Sequence, residues 1–203
     1  MNQKQVINNI DCIAGIDPDV EKAVRKLGYP KPRNRTQGFE TFFSIIVGQQ
    51  ISTEAAAAIM KRVRDLLPQM DARSLLNLPE GALREAGLSM RKVEYAQGLA
   101  YAILDGNLDT DGLSQMEDGE AIKTITALRG FGLWSAEIYL MFCLQRGDIF
   151  PADDLALQVA LQRLKGLELR PTAKQARDLI AHWSPWRSAG SLFLWHYYRG
   201  APT

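Results

Sequence analysis

Cysteine is almost absent: Cys12 and Cys143 are the only two in 203 residues. Two thiols exclude a disulfide framework and a four-cysteine cluster. Both stand in ordinary helical sequence and read as reduced, part-buried side chains. Histidine is equally scarce. His182 and His196 show no H-x-x-x-H spacing, so no catalytic metal is expected. No uninterrupted apolar run approaches the roughly 20 residues of a membrane span. The N-terminus, MNQKQVINNIDC, lacks the charged-then-apolar order of a secretory signal. These absences point to a reducing, cytoplasmic compartment without membrane association. An excess of one charge is missing too. The 24 Lys and Arg stand against 23 Asp and Glu, a net charge of +1. That excludes a basic tail and a highly charged disordered chain. By itself it also counts against a nucleic-acid partner, which usually shows as a basic excess.

Sustained period-2 alternation is absent, and no internal repeat or low-complexity segment stands out. What is present is helical. Phe39, Phe42, Phe43, Ile46 and Val47 form one apolar stripe. Gly48 and the pair Gln49-Gln50 interrupt it, and Ser52 caps a second helix with Glu54 in its first turn. Pro79 opens a short helix ended by Gly87, and Ser89 caps the next, to about 105–106. Further helices are predicted at about 118–128, 134–145, 154–164, 172–182 and 187–199, with a capping box at Thr172 and Gln175. Only 148–152 looks extended. The acidic, turn-rich stretch 105–120 reads as a link between two helical lobes. One lobe is expected from about 30–110, the other from about 111–203 with the N-terminal helix, as a single compact unit.

The informative segment is Leu128-Arg129-Gly130-Phe131-Gly132-Leu133-Trp134-Ser135-Ala136. Two glycines two residues apart separate two helical patterns. Glycine tolerates positive φ and close backbone approach, and a tight helix–hairpin–helix turn needs both. Such a turn presents main-chain N–H groups at a helix N-terminus, an anion site. Such a site can take a phosphate without any lysine; read on the two glycines alone, the segment is an ordinary C-cap glycine and a loop glycine. Downstream follows Asp148-Ile149-Phe150-Pro151-Ala152-Asp153-Asp154-Leu155-Ala156-Leu157.

Residues 128–157 resemble the helix–hairpin–helix plus Gly/Pro-Asp signature of the DNA glycosylase superfamily, and within it the DNA-3-methyladenine glycosylase II group. Ile46-Val47-Gly48-Gln49-Gln50-Ile51-Ser52 is similar to that family's first-lobe motif. Leu83-Arg84-Glu85-Ala86-Gly87-Leu88-Ser89-Met90-Arg91-Lys92 resembles its next turn. Trp183-Ser184-Pro185-Trp186-Arg187-Ser188 and Trp195 resemble its C-terminal helix. The four motifs cover roughly residues 36–198. The extra N-terminal β-domain of some members is missing, which suggests the compact form without an appended domain.

The resemblance implies an all-α, two-lobed glycosylase fold with the active site in the cleft between lobes. It places the catalytic carboxylate at Asp154. A fixed carboxylate suits the chemistry, because breaking a C1′–N glycosidic bond builds positive charge on the sugar. Read without the resemblance, Asp153 or Asp154 is a helix N-cap. Trp134 stands where bifunctional relatives similar to endonuclease III hold a Schiff-base lysine. Tryptophan has no amine, so a monofunctional enzyme is implied. Glycosylases must take the target base out of the stack to reach its bond to the sugar. The flipped base then needs aromatic surfaces, for which Trp134 and Trp195 are the candidates. Trp186 reads as core. Gln50 resembles the residue that wedges into the gap left by the flipped base. Gly130, Gly132 and Leu133 are implied as the hairpin's phosphate-binding backbone. Arg129 replaces the usual proline, which either loosens the hairpin's entry or adds a phosphate contact. No cofactor is implied beyond a structural monovalent cation on hairpin carbonyls.

The function implied is hydrolytic excision of alkylated purines, 3-methyladenine first and 7-methylguanine after it, from damaged double-stranded DNA in base-excision repair. A monomer is expected, in the cytoplasm and on the nucleoid in a bacterium. Three other readings remain open: a non-catalytic DNA-binding module, a helical protein-interaction scaffold, and a glycosylase for another damaged base such as ethenoadenine or hypoxanthine. The net charge hides an asymmetry. Residues 105–120 hold six acidic and no basic side chains, so the remainder carries 24 basic against 17 acidic, or +7.

Overall fold

Asn2 starts the first helix: its side chain accepts from the Gln5 N–H while the Gln5 side chain accepts from the Asn2 N–H, a capping box over α1 (Gln3–Ala14). Asp17 and Pro18 start α2 (Pro18–Leu27). Then come α3 (Phe39–Gly48), α4 (Thr53–Leu66), α5 (Ala72–Leu76), α6 (Ala82–Glu85) and α7 (Met90–Leu104). The chain continues through a 3₁₀ turn (Gly112–Gln115), α8 (Asp118–Thr126), α9 (Leu133–Phe142), α10 (Leu155–Leu164), α11 (Ala173–Leu179), a second 3₁₀ turn (Ala181–Trp183) and α12 (Arg187–Gly200). The computed structural model describes residues 1–200. Among them there is no strand, and no helix long and apolar enough to cross a membrane.

The caps on Ser52, Ser89 and Thr172 form as the sequence predicts. Pro79 does not begin a helix. It lies in the turn before α6, whose N-cap is Gly81. Residues 148–152 run without strand pairing. The expected N-terminal helix is α1, whereas α2 and α5 lie outside the segments read as helical in the sequence.

The chain divides into two compact units. Unit 2 is Arg35–Tyr139; unit 1 joins Met1–Asn34 to the chain from Leu140 onward. The acidic stretch is therefore not a link. It lies inside unit 2, because Leu108 and Leu113 are buried there. The second division falls within α9 rather than near residue 110.

In unit 1, α12 packs on α1, α2 and α10. Seven consecutive residues, 188–194, are buried, and small ones among them permit close approach. A Cβ on Gly190 would meet the Trp183 ring at 2.5 Å. Trp183 is wholly buried and donates its indole N–H to Asp17 Oδ2 at 2.8 Å. Lys165 Nζ donates to both Asp17 oxygens at 2.6 and 2.7 Å, and His182 Nε2 lies 3.1 Å away. Burial pushes the Asp17 carboxyl upward, but the bonds from Lys165, Trp183 and His182 outweigh it and hold the pKa below its ordinary value.

In unit 2, α3 packs on α4 and α7. Phe42, Phe43, Ile46 and Val47 are fully buried. The Phe42 ring stacks on Tyr139 at 3.9 Å and meets Phe131 edge-on at 5.5 Å. Phe131 is the apolar residue between the two hairpin glycines, so burying it seats the hairpin on α3.

Candidate active site

In unit 1, Asp154 stands at the end of an immobilised loop. Asp148 accepts two bonds from the Arg187 guanidinium, at 2.7 and 2.6 Å. That pairing holds the Asp148 carboxyl below its ordinary value and raises Arg187. Ser188 Oγ accepts from the Ile149 N–H at 2.9 Å. Arg177 donates to the Phe150 carbonyl at 2.9 Å, and Gln158 Nε2 to the Ala152 carbonyl at 2.7 Å. The Asp154 N–H closes the turn onto the Pro151 carbonyl at 2.9 Å. Every carbonyl from 150 to 152 is thereby engaged.

Asp154 is the N-cap of α10, with Oδ1 accepting from the Leu157 N–H at 3.1 Å. The same oxygen accepts the Trp195 indole N–H at 3.1 Å. Asp154 and Trp195 are each part-exposed, whereas Asp153 is exposed and does not cap α10. The residue that caps α10 is thus the same one that the sequence marks as the candidate catalytic carboxylate. Trp195 packs at 5.7 Å, tilted by 31°, against Phe142. Its N–H link to Asp154 is not visible in the sequence. Trp186 is half-buried; the core tryptophan of this segment is Trp183.

In unit 2, Gly130 needs to be glycine twice over. Its φ is +94°, and a Cβ there would lie inside the van der Waals surface of the Tyr95 ring. Gly132 differs from the sequence expectation: its φ is not positive and a Cβ would meet nothing within 4 Å. The Phe131 N–H bonds the Leu128 carbonyl, and α9 begins at Leu133. First-turn N–H groups of a helix have no acceptor in their own helix, so those following Gly132 suit an anion. Leu133 is exposed and Trp134 part-exposed. Arg129 pairs with Glu94 at 3.2 Å and lies 6.0 Å from the Tyr95 ring centre.

Gln50 is exposed on the turn between α3 and α4, at a φ of +59° that only glycine adopts without cost. Two neighbours escaped the sequence reading. Gln49 Nε2 donates to the Gly130 carbonyl at 2.8 Å and to Ser135 Oγ at 3.3 Å. Lys92 Nζ donates to the carbonyls of Val47 and Gln49 at 2.7 and 2.8 Å. The only sequence signal was that both lie within motifs. The structure joins Asp154 to Trp195 in unit 1, and the Gln49-Gln50 turn to the hairpin in unit 2. No group of three or more His, Cys, Asp or Glu side chains that could hold a metal exists among the described residues.

Residues 43–185 match the model of the HhH-GPD superfamily of base excision DNA repair proteins. The chain is 25% identical over 190 residues to DNA-3-methyladenine glycosylase 1 of Schizosaccharomyces pombe, covering 90% of this chain and 83% of that one. It is 29% identical over 192 residues to DNA-3-methyladenine glycosylase 2 of Escherichia coli, covering 87% of this chain and 65% of the relative. Among solved structures, the S. pombe 3-methyladenine DNA glycosylase Mag1 in complex with abasic DNA superposes with a TM-score of 0.89 at 25% identity, covering 96% of this chain and 98% of that one. The DNA-3-methyladenine glycosidase of Bacillus halodurans superposes at 0.80 with 30% identity, covering 95% and 89%. With a glycine-sharpened hairpin, a loop-anchored Asp154 and a superfamily match across 43–185, the chain belongs to the HhH-GPD superfamily of base excision DNA repair proteins.

Proposed function

We propose that this chain is a monofunctional DNA glycosylase that hydrolyses the N-glycosidic bond of alkylated purines, 3-methyladenine and 7-methylguanine, in duplex DNA, acting as a monomer. The observation that carries the reading is Asp154, a part-exposed carboxylate fixed by the Leu157 N–H and the Trp195 indole N–H. As the C1′–N bond breaks, the electron pair leaves with the base and positive charge grows on the sugar. The carboxylate stabilises that charge electrostatically. It also accepts a proton from the attacking water, whose oxygen bonds to C1′ and leaves an abasic site.

The remaining roles follow the same reading. N–H groups at the start of α9 grip a phosphate, and the open space over Gly132 leaves room for it. Gln50 fills the gap left by the extruded nucleotide, and the faces of Trp134 and Trp195 bind the electron-poor base. With tryptophan at 134, no amine attacks the sugar from that position. A monovalent cation on hairpin carbonyls belongs to this proposal as a structural bridge to phosphate. Oxygen is the ligand type such a cation takes, although the Gly130 carbonyl already accepts from Gln49. Replacing potassium and sodium by choline should weaken DNA binding without altering the fold.

The test is incubation with methylated duplex DNA and chromatography of the released bases. Release of 3-methyladenine and 7-methylguanine, with no adduct trapped by borohydride, is expected. Binding without any release would identify a DNA-binding module, and release of other bases alone would reassign the lesion.

A further inference from the structure

One helix, α7, carries the attachments of both the wedge turn and the hairpin. Lys92, in its first turn, closes the end of α3 by donating to the carbonyls of Val47 and Gln49, the two that flank Gly48. A cation at a helix C-terminus is favourable, and here it also fixes the residue just before Gln50. Burial lowers the Lys92 pKa below its ordinary value. Glu94 and Tyr95, on the same helix, engage the hairpin: Glu94 pairs with Arg129, and the Tyr95 ring fills the space where a Cβ on Gly130 would lie. The Gln49 side chain closes the circuit by bonding the Gly130 carbonyl and Ser135.

We propose that Lys92 and Gln49 are positioning residues for base extrusion, holding Gln50 at a fixed offset from the phosphate-binding hairpin so that backbone grip and insertion occur in register. The inference rests on the wedge and hairpin roles given above. The geometry demands such a support. Gln50 is an exposed, non-glycine residue in the left-handed region, a conformation that persists only where its surroundings over-determine it. The bonds that do so come from Lys92 on one side and reach the hairpin through Gln49 on the other. Neither residue touches the glycosidic bond under this scheme. Their effect is confined to opening the stack, so it vanishes when the base is already unstacked.

The experiment compares single-turnover release of 7-methylguanine from a fully paired duplex and from the same sequence in an unpaired bubble. A 2-aminopurine beside the lesion reports unstacking. In Lys92→Met, duplex release and the unstacking signal are expected to fall about tenfold, the scale of losing charge-assisted hydrogen bonds. Release from the bubble should fall much less. Gln50→Ala should show the same selective loss, and Gln50→Ala combined with Lys92→Met should be no worse than Gln50→Ala alone, because residues acting as a unit are not additive. Equal loss on both substrates, or full additivity, overturns the positioning role. If Gln50→Ala itself spares duplex release, the wedge role falls and the proposal with it. If only Lys92→Met spares it, the wedge stands and the positioning role alone falls. Should Lys92→Met fail to fold, Gln49→Leu cuts the same circuit from the hairpin side and is judged by the same outcomes.

Discussion

The Asp154 side chain joins two tasks that are usually weighed against each other. As an N-cap it satisfies the Leu157 N–H; as an anion it faces the part-exposed surface beside Trp195. The two separate on substitution. Asparagine caps a helix about as well as aspartate, and its amide oxygen keeps an acceptor for both donors. Asp154→Asn should therefore retain the wild-type Tm and DNA affinity while losing base release by about a hundredfold or more, the scale of removing a fixed electrostatic stabiliser. Wild-type turnover in that variant would remove the catalytic assignment. Trp195→Phe asks a finer question. It keeps an aromatic face against Phe142 but removes the N–H to the carboxylate. A loss of about tenfold in single-turnover release is expected with lesion affinity largely kept. Lost affinity with unchanged release would make Trp195 a stacking surface only.

Among the elements, the hairpin stands out because its two glycines are unequal. Gly130→Ala forces a Cβ into the Tyr95 ring in a backbone region that disfavours side chains. A destabilisation of about 2 kcal/mol or more is expected by urea denaturation. Gly132→Ala meets open space, so stability should hold within about 0.5 kcal/mol. If a phosphate approaches there, DNA affinity should nevertheless fall, as titration of labelled duplex would reveal. Helix starts and stops were largely legible in the sequence. Ser52, Ser89, Thr172 and the α10 cap are local events, each decided by a side chain and an N–H three residues on. Pro79 misled because its own carbonyl takes the Ala82 N–H, turning the chain before α6 begins. The α2 start carried a readable signal in Asp17-Pro18, whereas five-residue α5 is too short for periodicity to declare it.

Across the molecule, the buried Asp17 joins distant parts of unit 1. It accepts from Lys165, 148 residues away, and from Trp183, 166 residues away. Asp17→Ala leaves the buried Trp183 N–H without its acceptor and Lys165 with Asp19 alone, so it should cost about 1–3 kcal/mol. The pH dependence has a definite sign. The Asp17 pKa is lowered on folding, so its stabilisation is complete above the ordinary carboxylate range and drains away as pH falls through the lowered value. For Lys165, burial lowers the pKa but the bonds to Asp17 and Asp19 outweigh it and raise it. That contribution is complete below the ordinary lysine range and is lost as pH rises through the raised value. Denaturation curves of wild type and Asp17→Ala should converge toward strong acid and diverge near neutrality. Parallel curves would show that the pair carries no such linkage.

The helical character, most caps, the left-handed Gly130 turn, and the motifs that mark Asp154 and Gln50 were all readable from the amino-acid order. Each is written within a few residues, where periodicity, glycine and capping oxygens act. What those residues lean on was settled by packing. It brought the Trp195 indole to Asp154 across 41 residues and the Lys92 ammonium to the Gln49 carbonyl across 43. It also linked Gln49 to the hairpin across 81 and placed the acidic stretch inside unit 2 through two buried leucines. Long-range hydrogen bonds have no period in the chain. They follow from which helices pack, and packing is set by the sum of many apolar contacts rather than by any local word in the sequence.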